Sequence, residues 1–229
     1  MAQDRPDLSL SACLASTRMS SPRLSDRALI KRIIRYVRGR PTSEYHFPWR
    51  HVASGEHLIT LYSDSDWATD TRGRKSRSGG VLMLGPHCVH HWGKQQDRIA
   101  LSSGEAELKA TCKGLSEFLG MAQIMNFFTR QSQALEHRMD ASATERMVLR
   151  QGSGQLKHSD IRELWVQAAV VEHGIKVVKI PRTDNYADIL CSVPRKEEFN
   201  AVLTSLGFHF PNPCHGQGGE IEIDDNDNE

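Results

Sequence analysis

The sequence predicts an α/β protein whose core is a mixed β-sheet, a three-strand antiparallel meander plus parallel strands, flanked by helices. Three strand-like segments follow one another directly, at 58–67, 79–85 and 87–92. Gly85 and Pro86 predict a turn between the last two. Strand-like and helical segments then alternate, and this alternation requires crossover connections that pair strands in parallel.

Composition is typical of an ordinary soluble globular protein. The 229 residues suffice for one medium domain with attachments, and 38% of them are hydrophobic and 25% charged. No run approaches the roughly 18 apolar residues that span a membrane, and the N-terminal MAQDRPDLSLS lacks a secretion signal's apolar core. We therefore expect an intracellular protein, cytoplasmic or nuclear and not secreted. Because the formal net charge is only +1, contact with nucleic acid requires local basic patches.

The number and spacing of the cysteines argue against a disulfide framework and against a zinc site. They are five in number, widely separated, and none forms a CxxC pair. An odd, scattered set is unlike a disulfide framework or a zinc knuckle, and it is typical of a reducing compartment. The five are Cys13, Cys88, Cys112, Cys191 and Cys214.

The first predicted helix covers 26–38, with Ser25 as its N-cap and Gly39 as its end. Its apolar residues fall on one stripe, and its basic residues, which lie largely elsewhere, are interpreted as a solvated face. The following segment, 40–57, contains prolines and a glycine and is predicted to be a connector. The stripe consists of Leu29, Ile30, Ile33, Ile34 and Val37.

A long helix is predicted to follow the meander. It begins at SSGE, a capping box in which Ser102 accepts from the first turn and Glu105 reaches back. The C-terminal GGEIEIDDNDNE is Gly-rich and then acidic, and we expect it to be disordered. The elements between are a strand at 134–139, a helix at 160–171, a buried strand at 175–180 and a short helix at 185–190.

Four acidic residues lie on four different predicted elements. Carboxylates are disfavoured in strands and costly when buried without a partner, so Asp64 in the first strand requires an explanation. In a chain with 28 Asp and Glu, each acid alone is most simply solvated. If folding gathers the four, their repulsion requires divalent cations, and two bridged cations form a clamp for phosphodiester cleavage. The four are Asp64, Glu107, Asp140 and Asp188.

Several motifs occur in the order found in one family. They are YSDSDWATDTRGRKSRSGGVLMLG (62–85), ALSSGEAELKA (100–110), KHSDIRELWV (157–166) and IPRTDNYADIL (180–190). From about Leu58 to Phe208 the chain resembles the ribonuclease H domain of copia-type retrotransposon polyproteins. Upstream, RPDLSLSACLASTRMSSP and the helix ending in RYVRG resemble the last segment of the preceding reverse transcriptase.

The resemblance implies a ribonuclease H-like mixed sheet flanked by helices, and three regions. Residues 1–57 would be a remnant of the reverse transcriptase C-terminal segment with a connector, 58–208 the ribonuclease H-like domain, and 209–229 a disordered acidic tail. The implied activity is endonucleolytic hydrolysis of the RNA strand of RNA–DNA hybrids, with two Mg²⁺ or Mn²⁺ ions. The implied partners are the hybrid and the rest of the polyprotein, with no membrane.

The family's catalytic and metal-binding acids then fall on Asp64, Glu107, Asp140 and Asp188. Glu107 is chosen over Glu105 because it matches the second Glu of the family's Glu-Ala-Glu, and Glu105 already serves the capping box. Asp66 shares a strand face with Asp64 and is interpreted as an auxiliary or solvated acid.

Departures from the family leave alternatives open. Ala141 and Ser142 follow the third acid where Asn-Gln is common, and Cys191 and Ser192 replace the Thr-Lys that follows ADIL. One alternative is a catalytically degenerate fragment that binds nucleic acid or serves as a scaffold. A weaker one is a related two-metal nuclease acting on DNA.

A basic loop follows the first strand. Because a hybrid is held mainly through its phosphates, a basic loop near a metal site is a candidate nucleic-acid-binding segment, although a solvated loop is equally compatible. The candidates are Arg72, Arg74, Lys75 and Arg77.

Histidines and tryptophans near the meander are interpreted as structural. Strand alternation predicts His87 and His91 on one face and His90 on the other. Trp67 and Trp92 end their strands and are predicted to lie in the core.

Overall fold

The computed structural model describes residues 4–47, 58–150 and 161–211, with the side chains of 161–164 excepted. The predictions for 48–57, for KHSD at 157–160 and for the tail beyond 211 lie outside these residues. The strands are β1 (Glu44–Tyr45), β2 (Leu58–Asp66), β3 (Arg77–Leu84), β4 (His87–Gln95), β5 (Ala134–Met139), β6 (Lys176–Lys179) and β7 (Phe208–His209). The helices are α1 (Pro6–Ser16), α2 (Leu24–Gly39), α3 (Ser103–Thr129), α4 (Ser142–Leu149), α5 (Ile161–Glu172), α6 (Asp188–Cys191) and α7 (Lys196–Ser205).

The main sheet has five strands in the order β4-β3-β2-β5-β6. β2, β3 and β4 form the antiparallel meander, turning at Gly85, whose φ is +55°. β2 pairs in parallel with β5, and β5 with β6, through helical crossovers. The predicted α/β fold, a mixed sheet flanked by helices, is confirmed. Among the described helices, none is long and apolar enough to cross a membrane.

Both faces of the sheet are covered, which explains why β2 is buried along nearly its whole length. On one face, Ile59 and Leu61 pack with Phe118 of α3 in a core that also includes Val166 of α5. On the other, Tyr62 packs with Leu190 of α6 in a second core. Alternate side chains of one strand therefore enter two cores, and the polar residues that follow alternate in the same way: Ser63 lies towards α3 and Asp64 towards α6.

The prediction that 175–180 is a buried strand is wrong in part. β6 covers only Lys176–Lys179, and its two lysines are exposed while Val177 and Val178 are half-buried. The reason is its place at the edge of the described sheet, where it pairs only with β5. Ile175, just before the strand, is the buried residue.

The predicted distribution of the histidines is also wrong. The register shifts between Leu82 and Met83, so that His90 lies opposite Leu82 and His87 opposite Leu84. Directly opposite residues share a face, and this β-bulge therefore puts His87 and His90 on one face and His91 on the other.

The two tryptophans have different environments. Trp92 is partly buried against the first core. Trp67 is 50% exposed, and its indole N–H donates to the Ala100 carbonyl at 3.1 Å. Its predicted core position is wrong because β2 ends at Asp66 and Trp67 lies beyond the sheet.

The N-terminal segment is joined to the sheet by packing, ion pairs and strand pairing. α1 lies against β4 and α6. β1 pairs antiparallel with β7, which joins Tyr45 to Phe208. The Arg5 guanidinium forms an ion pair with Asp7 at 2.8 Å and lies 5.8 Å from the Phe208 ring centroid. Segment 4–47 therefore contributes to the same body as the strands that follow.

Helix α2 differs in detail from its prediction. It begins two residues earlier, with Arg23 rather than Ser25 at the N-cap, because the Asp26 carboxylate accepts from the Arg23 N–H at 2.9 Å. It ends at Gly39 as predicted. The helix is amphipathic, yet none of the residues of α2 is buried. Ile30 and Ile34, which belong to the apolar stripe, are 45% and 51% exposed.

Replacing Asp7 is expected to destabilise the protein by about 3 kcal/mol. The Asp7 side chain is fully buried and that of Arg5 is 11% exposed, so Asp7→Asn leaves a largely buried guanidinium without its counter-charge. Urea unfolding measures the change. Glu117→Gln, which breaks the exposed pair with Lys113, is the control and should cost less than about 1 kcal/mol; equal costs would contradict the prediction.

Candidate active site

Asp64 lies deep in the sheet, on its central strand. It is 6% exposed and pairs across β2 and β3 with Gly79. Its Oδ2 accepts a hydrogen bond from the Cys191 thiol at 2.6 Å, and its Oδ1 accepts one from the Asn185 amide at 3.4 Å. Both donors come from the segment around α6. Gly79 makes this approach possible, because a Cβ there would lie 2.6 Å from the Ala187 carbonyl oxygen.

Glu107 approaches the same strand from α3. It is 9% exposed, and its Oε1 accepts from the Ser65 N–H at 3.2 Å. The helix begins as predicted, since the Ser102 hydroxyl accepts from the Glu105 N–H at 3.1 Å. Glu105 itself accepts from the Leu101 N–H at 2.8 Å and thus stabilises the helix start. The two glutamates therefore have different environments.

Asp140 and Asp188 complete the set at the ends of their elements. Asp140 directly follows β5, and its Oδ1 lies 3.5 Å from the Asn185 amide nitrogen. Asp188 begins α6, and its Oδ1 accepts from the Ser192 hydroxyl at 2.9 Å and from Arg182 at 3.0 Å. Asn185, which is 1% exposed, thus lies between Asp64 and Asp140. Sequence reasoning missed this amide, although it stands inside the matched motif.

The electrostatics couple the four acids. Burial raises the pKa of Asp64 and so do the charges of Asp140 and Asp188, while the hydrogen bond from Cys191 opposes the rise. Burial and the charges of Asp64 and Asp140 also raise the pKa of Glu107. Like charges shift a pKa only when they lie close together, so the four carboxylates are near enough to interact. Folding thus brings together acids that are up to 124 positions apart in the chain, from Asp64 to Asp188.

The four carboxylates are the kind of ligand that a hard divalent cation prefers, but the described side chains are not arranged as a metal coordination shell. Among residues 4–47, 58–150 and 161–211, no group of three or more His, Cys, Asp or Glu is arranged to hold a metal ion. Protein donors engage oxygens of Asp64 and Asp188 instead. Four carboxylates without an imidazole are the chemistry of Mg²⁺ or Mn²⁺ rather than zinc. These residues therefore fit the expected metal by chemistry.

Asp66 is neither solvated nor part of the acid cluster. Its carboxylate forms an ion pair with Arg77 and accepts from the Thr69 hydroxyl. The Arg77 Nε also donates to the Cys191 carbonyl at 3.2 Å. Arg77 therefore ties the basic loop to α6, and its side chain is only 11% exposed.

The other basic loop residues differ from one another. Arg72 forms an ion pair with Asp26 of α2 at 2.8 Å. Arg74 is exposed in a left-handed conformation with φ 54°, and Lys75 is half-buried. The structure therefore places two of the four candidate contacts, Arg72 and Arg77, in ion pairs with the protein's own acids.

A groove along α3 was not anticipated from the sequence. Its volume is about 810 Å³, and it lies between α3 and the segment after β4. The exposed apolar side chains Ile99 and Leu101, flanking the loop before a helix cap, were the available signal. None of the four acids is among its lining residues. Its lining includes Lys94, Arg98, Ile99, Leu101, Glu105, Lys109, Lys113 and Trp165.

A buried histidine next to the site gives a pH prediction. His137 Nε2 lies 2.8 Å from the Ser63 hydroxyl, and burial lowers the pKa of His137 to about 3. The folded protein therefore contains neutral His137. The contribution of this residue to the free energy of unfolding is fully present above the ordinary histidine pKa, and it is lost as the pH falls from there toward 3. We expect this one group to contribute a slope of up to about 1.4 kcal/mol per pH unit in that window. Comparing wild type with His137→Gln by urea unfolding measures it, and parallel pH profiles would contradict it.

The comparisons with known proteins agree with the motifs. No family model matches the chain. It is 25% identical over 210 residues to the Retrovirus-related Pol polyprotein from transposon TNT 1-94 of Nicotiana tabacum, covering 91% of this chain and 15% of the relative. It is 26% identical over 222 residues to the Retrovirus-related Pol polyprotein from transposon RE2 of Arabidopsis thaliana, and this match covers 94% of this chain and 15% of the relative. The chain thus spans about 15% of the length of these two relatives.

Two further matches cover smaller parts of the chain. The Secreted RxLR effector protein 161 of Plasmopara viticola is 33% identical over 117 residues, which is 51% of this chain and 80% of the relative. The solved structure of LC11-RNase H1, isolated from compost, matches with a TM-score of 0.46 and 19% identity, covering 64% of this chain and 99% of the other. The two polyprotein matches extend over nearly the whole chain. Over about nine-tenths of its length the chain is therefore similar to retrovirus-related Pol polyproteins of the copia type.

Proposed function

We propose that this chain hydrolyses the RNA strand of RNA–DNA hybrids endonucleolytically, as part of a retrotransposon polyprotein. The observation that carries the proposal is the convergence of motif acids on the end of β2: the Asn185 amide donates to Asp64 and lies 3.5 Å from Asp140 Oδ1, and Glu107 accepts from the Ser65 N–H beside Asp64. The raised pKa of Asp64 and of Glu107, caused by burial and by the charges of neighbouring acids, supports the same grouping and extends it to Asp188. Similarity to retrovirus-related Pol polyproteins supports a nuclease of the ribonuclease H type. The hybrid substrate and the use of two metal ions are our proposal for this chain.

Each residue has a role in this proposal. Asp64 and Glu107 would hold divalent ions from the centre of the sheet and from α3, with Asp140 and Asp188 at the rim. When bound, two such ions activate a water and stabilise the leaving oxygen. Cys191 and Asn185 orient the Asp64 carboxylate through their hydrogen bonds. Burial of Cys191 raises its thiol pKa, so the thiol is protonated and donates.

The surroundings supply places for a duplex. The groove beside α3 is lined by three lysines and an arginine, by Asp97 and Glu105, and by apolar side chains. Exposed Arg74 lies on the loop after β2. Basic side chains at such positions contact phosphates without reading sequence, so binding should weaken steeply as salt rises.

The experiment is cleavage of an RNA–DNA hybrid with labelled RNA by purified protein in Mg²⁺. We expect endonucleolytic fragments of the RNA strand that disappear with a chelator, and no cleavage of an all-DNA duplex. Glu172→Gln removes an exposed acid at the end of α5 and should cleave like wild type. Equal cleavage of the DNA duplex would replace hybrid specificity with a general two-metal nuclease.

A second candidate is a nucleic-acid-binding or scaffold fragment without catalysis. It is favoured by Ala141 and Ser142 after the third acid and by the lack of a metal-holding group among the described residues. This function predicts hybrid binding that is insensitive to Mg²⁺ and no turnover. Hybrid cleavage in the same assay would exclude it.

A further inference from the structure

Arg182 is an exposed cation that rests on one of the site acids. It begins the short 3-10 turn Arg182–Asp184, between β6 and α6. Its Nη2 lies 3.0 Å from Asp188 Oδ1. The Arg182 side chain is 70% exposed, whereas that of Asp188 is 15% exposed. A long, exposed side chain thus pairs with a carboxylate that is largely buried and that also accepts from Ser192.

The positive charge of Arg182 acts on more than its direct partner. The charge of Asp188 raises the pKa of Arg182, and so do, more weakly, the charges of Asp64 and Asp140. Arg182 therefore contacts Asp188 and is close enough to Asp64 and Asp140 to be stabilised by their charges. Arg77 differs, because its buried guanidinium is committed to Asp66, Thr69 and the Cys191 carbonyl.

We propose that Arg182 is an exchangeable counter-ion of the acid cluster. It pairs with Asp188 in the metal-free protein, releases that oxygen when a divalent cation binds, and then contacts a phosphate of the nucleic acid. This inference rests on the proposed function, since it assigns the cation and the phosphate to the same site.

The energetics permit the exchange. An exposed ion pair contributes little to stability, so release of Arg182 costs little. A guanidinium within about 4 Å of a metal ion would be repelled strongly in a partly buried site, which favours its departure. Ser192 also donates to Asp188 Oδ1, so Asp188 stays in position after Arg182 leaves. The released guanidinium has the fork geometry that suits a phosphate.

The first measurement is Mg²⁺ affinity, read from the rise of the thermal midpoint with Mg²⁺ concentration and without nucleic acid. We expect Arg182→Gln to bind Mg²⁺ about three- to fivefold more tightly than wild type, since a competitor worth up to 1 kcal/mol has been removed. Lys179→Gln removes the same charge from an exposed lysine of β6 three residues away. It is the matched control and should change Mg²⁺ affinity much less.

The second measurement is hybrid binding with Mg²⁺ present, in the otherwise wild-type protein, to a hybrid whose RNA strand carries 2′-O-methyl groups so that it resists cleavage. Adding Arg182→Gln should weaken hybrid binding and reduce the salt slope by about one, whereas Arg182→Lys should keep most of the slope. The inference therefore predicts opposite changes: tighter metal binding and weaker hybrid binding.

The outcomes separate this inference from the proposed function. If wild type binds Mg²⁺ and cleaves hybrid but Arg182→Gln shows unchanged or weaker Mg²⁺ binding, Arg182 is a structural pair and the inference is overturned alone. An effect equal to that of Lys179→Gln would overturn it as well. If wild type shows no Mg²⁺-dependent rise in thermal midpoint and no cleavage, both are overturned.

Discussion

Asp64→Asn should reduce hybrid cleavage by on the order of a thousandfold or more. Metal ions stabilise a phosphoryl-transfer transition state by several kcal/mol, and each 1.36 kcal/mol is about tenfold in rate. Asparagine keeps the shape of the side chain but removes the charge at the centre of the cluster. Single-turnover cleavage of labelled hybrid, with protein in excess, measures the loss.

Two controls make this result interpretable. The Asp64→Asn variant should remain folded, because it removes one of several buried carboxylates that repel one another in the folded state. Glu172→Gln should retain wild-type cleavage. Wild-type rates for Asp64→Asn would remove Asp64 from the mechanism, and equal losses in both variants would point to a contaminating nuclease.

Glu107→Gln is expected to stabilise the metal-free protein at alkaline pH by on the order of 3 kcal/mol. The folded pKa of Glu107 is raised by burial and by Asp64 and Asp140. Its contribution to stability is therefore present below the ordinary glutamate pKa and is lost as pH rises through the raised value. Glutamine removes this loss and still accepts from the Ser65 N–H.

Urea unfolding in chelator, from mildly acidic to alkaline pH, measures the difference between wild type and Glu107→Gln. The two curves should converge at low pH and separate as pH rises. Mg²⁺ should raise the stability of wild type more than that of the variant. A variant that is less stable than wild type at every pH would mean that Glu107 serves only to pack α3 on β2.

The sequence predicts those parts of the fold that depend on local pattern. Strand β5 has its predicted bounds, and the capping residue Ser102 starts α3 as expected, because both follow from neighbouring residues. The four acids were identified by motif order. Their proximity could not be derived from spacing, since it depends on parallel pairing of β2 with β5.

The parts that were missed depend on contacts distant in sequence. The pairing of β1 with β7 joins two-residue strands more than 160 positions apart, too short to show a period. The β-bulge in β4 inverts the face of His91 through the register with β3. The edge position of β6 reflects strand order, which its apolar sequence does not specify.

The site's hydrogen-bond donors were likewise beyond sequence reasoning. Cys191 and Ser192 were noted only as departures from the family, yet they donate to Asp64 and Asp188 respectively. Asn185 contacts Asp64 and Asp140 from another element. A hydrogen-bond partner depends on side-chain direction, which the primary structure leaves open.

The most direct test is a crystal structure of the protein soaked in Mn²⁺, with an anomalous difference map. We expect two peaks about 4 Å apart, each in contact with carboxylate oxygens of Asp64 and its three partners, and Arg182 displaced from Asp188. An empty cluster at saturating Mn²⁺, or manganese bound only elsewhere on the surface, would contradict the account.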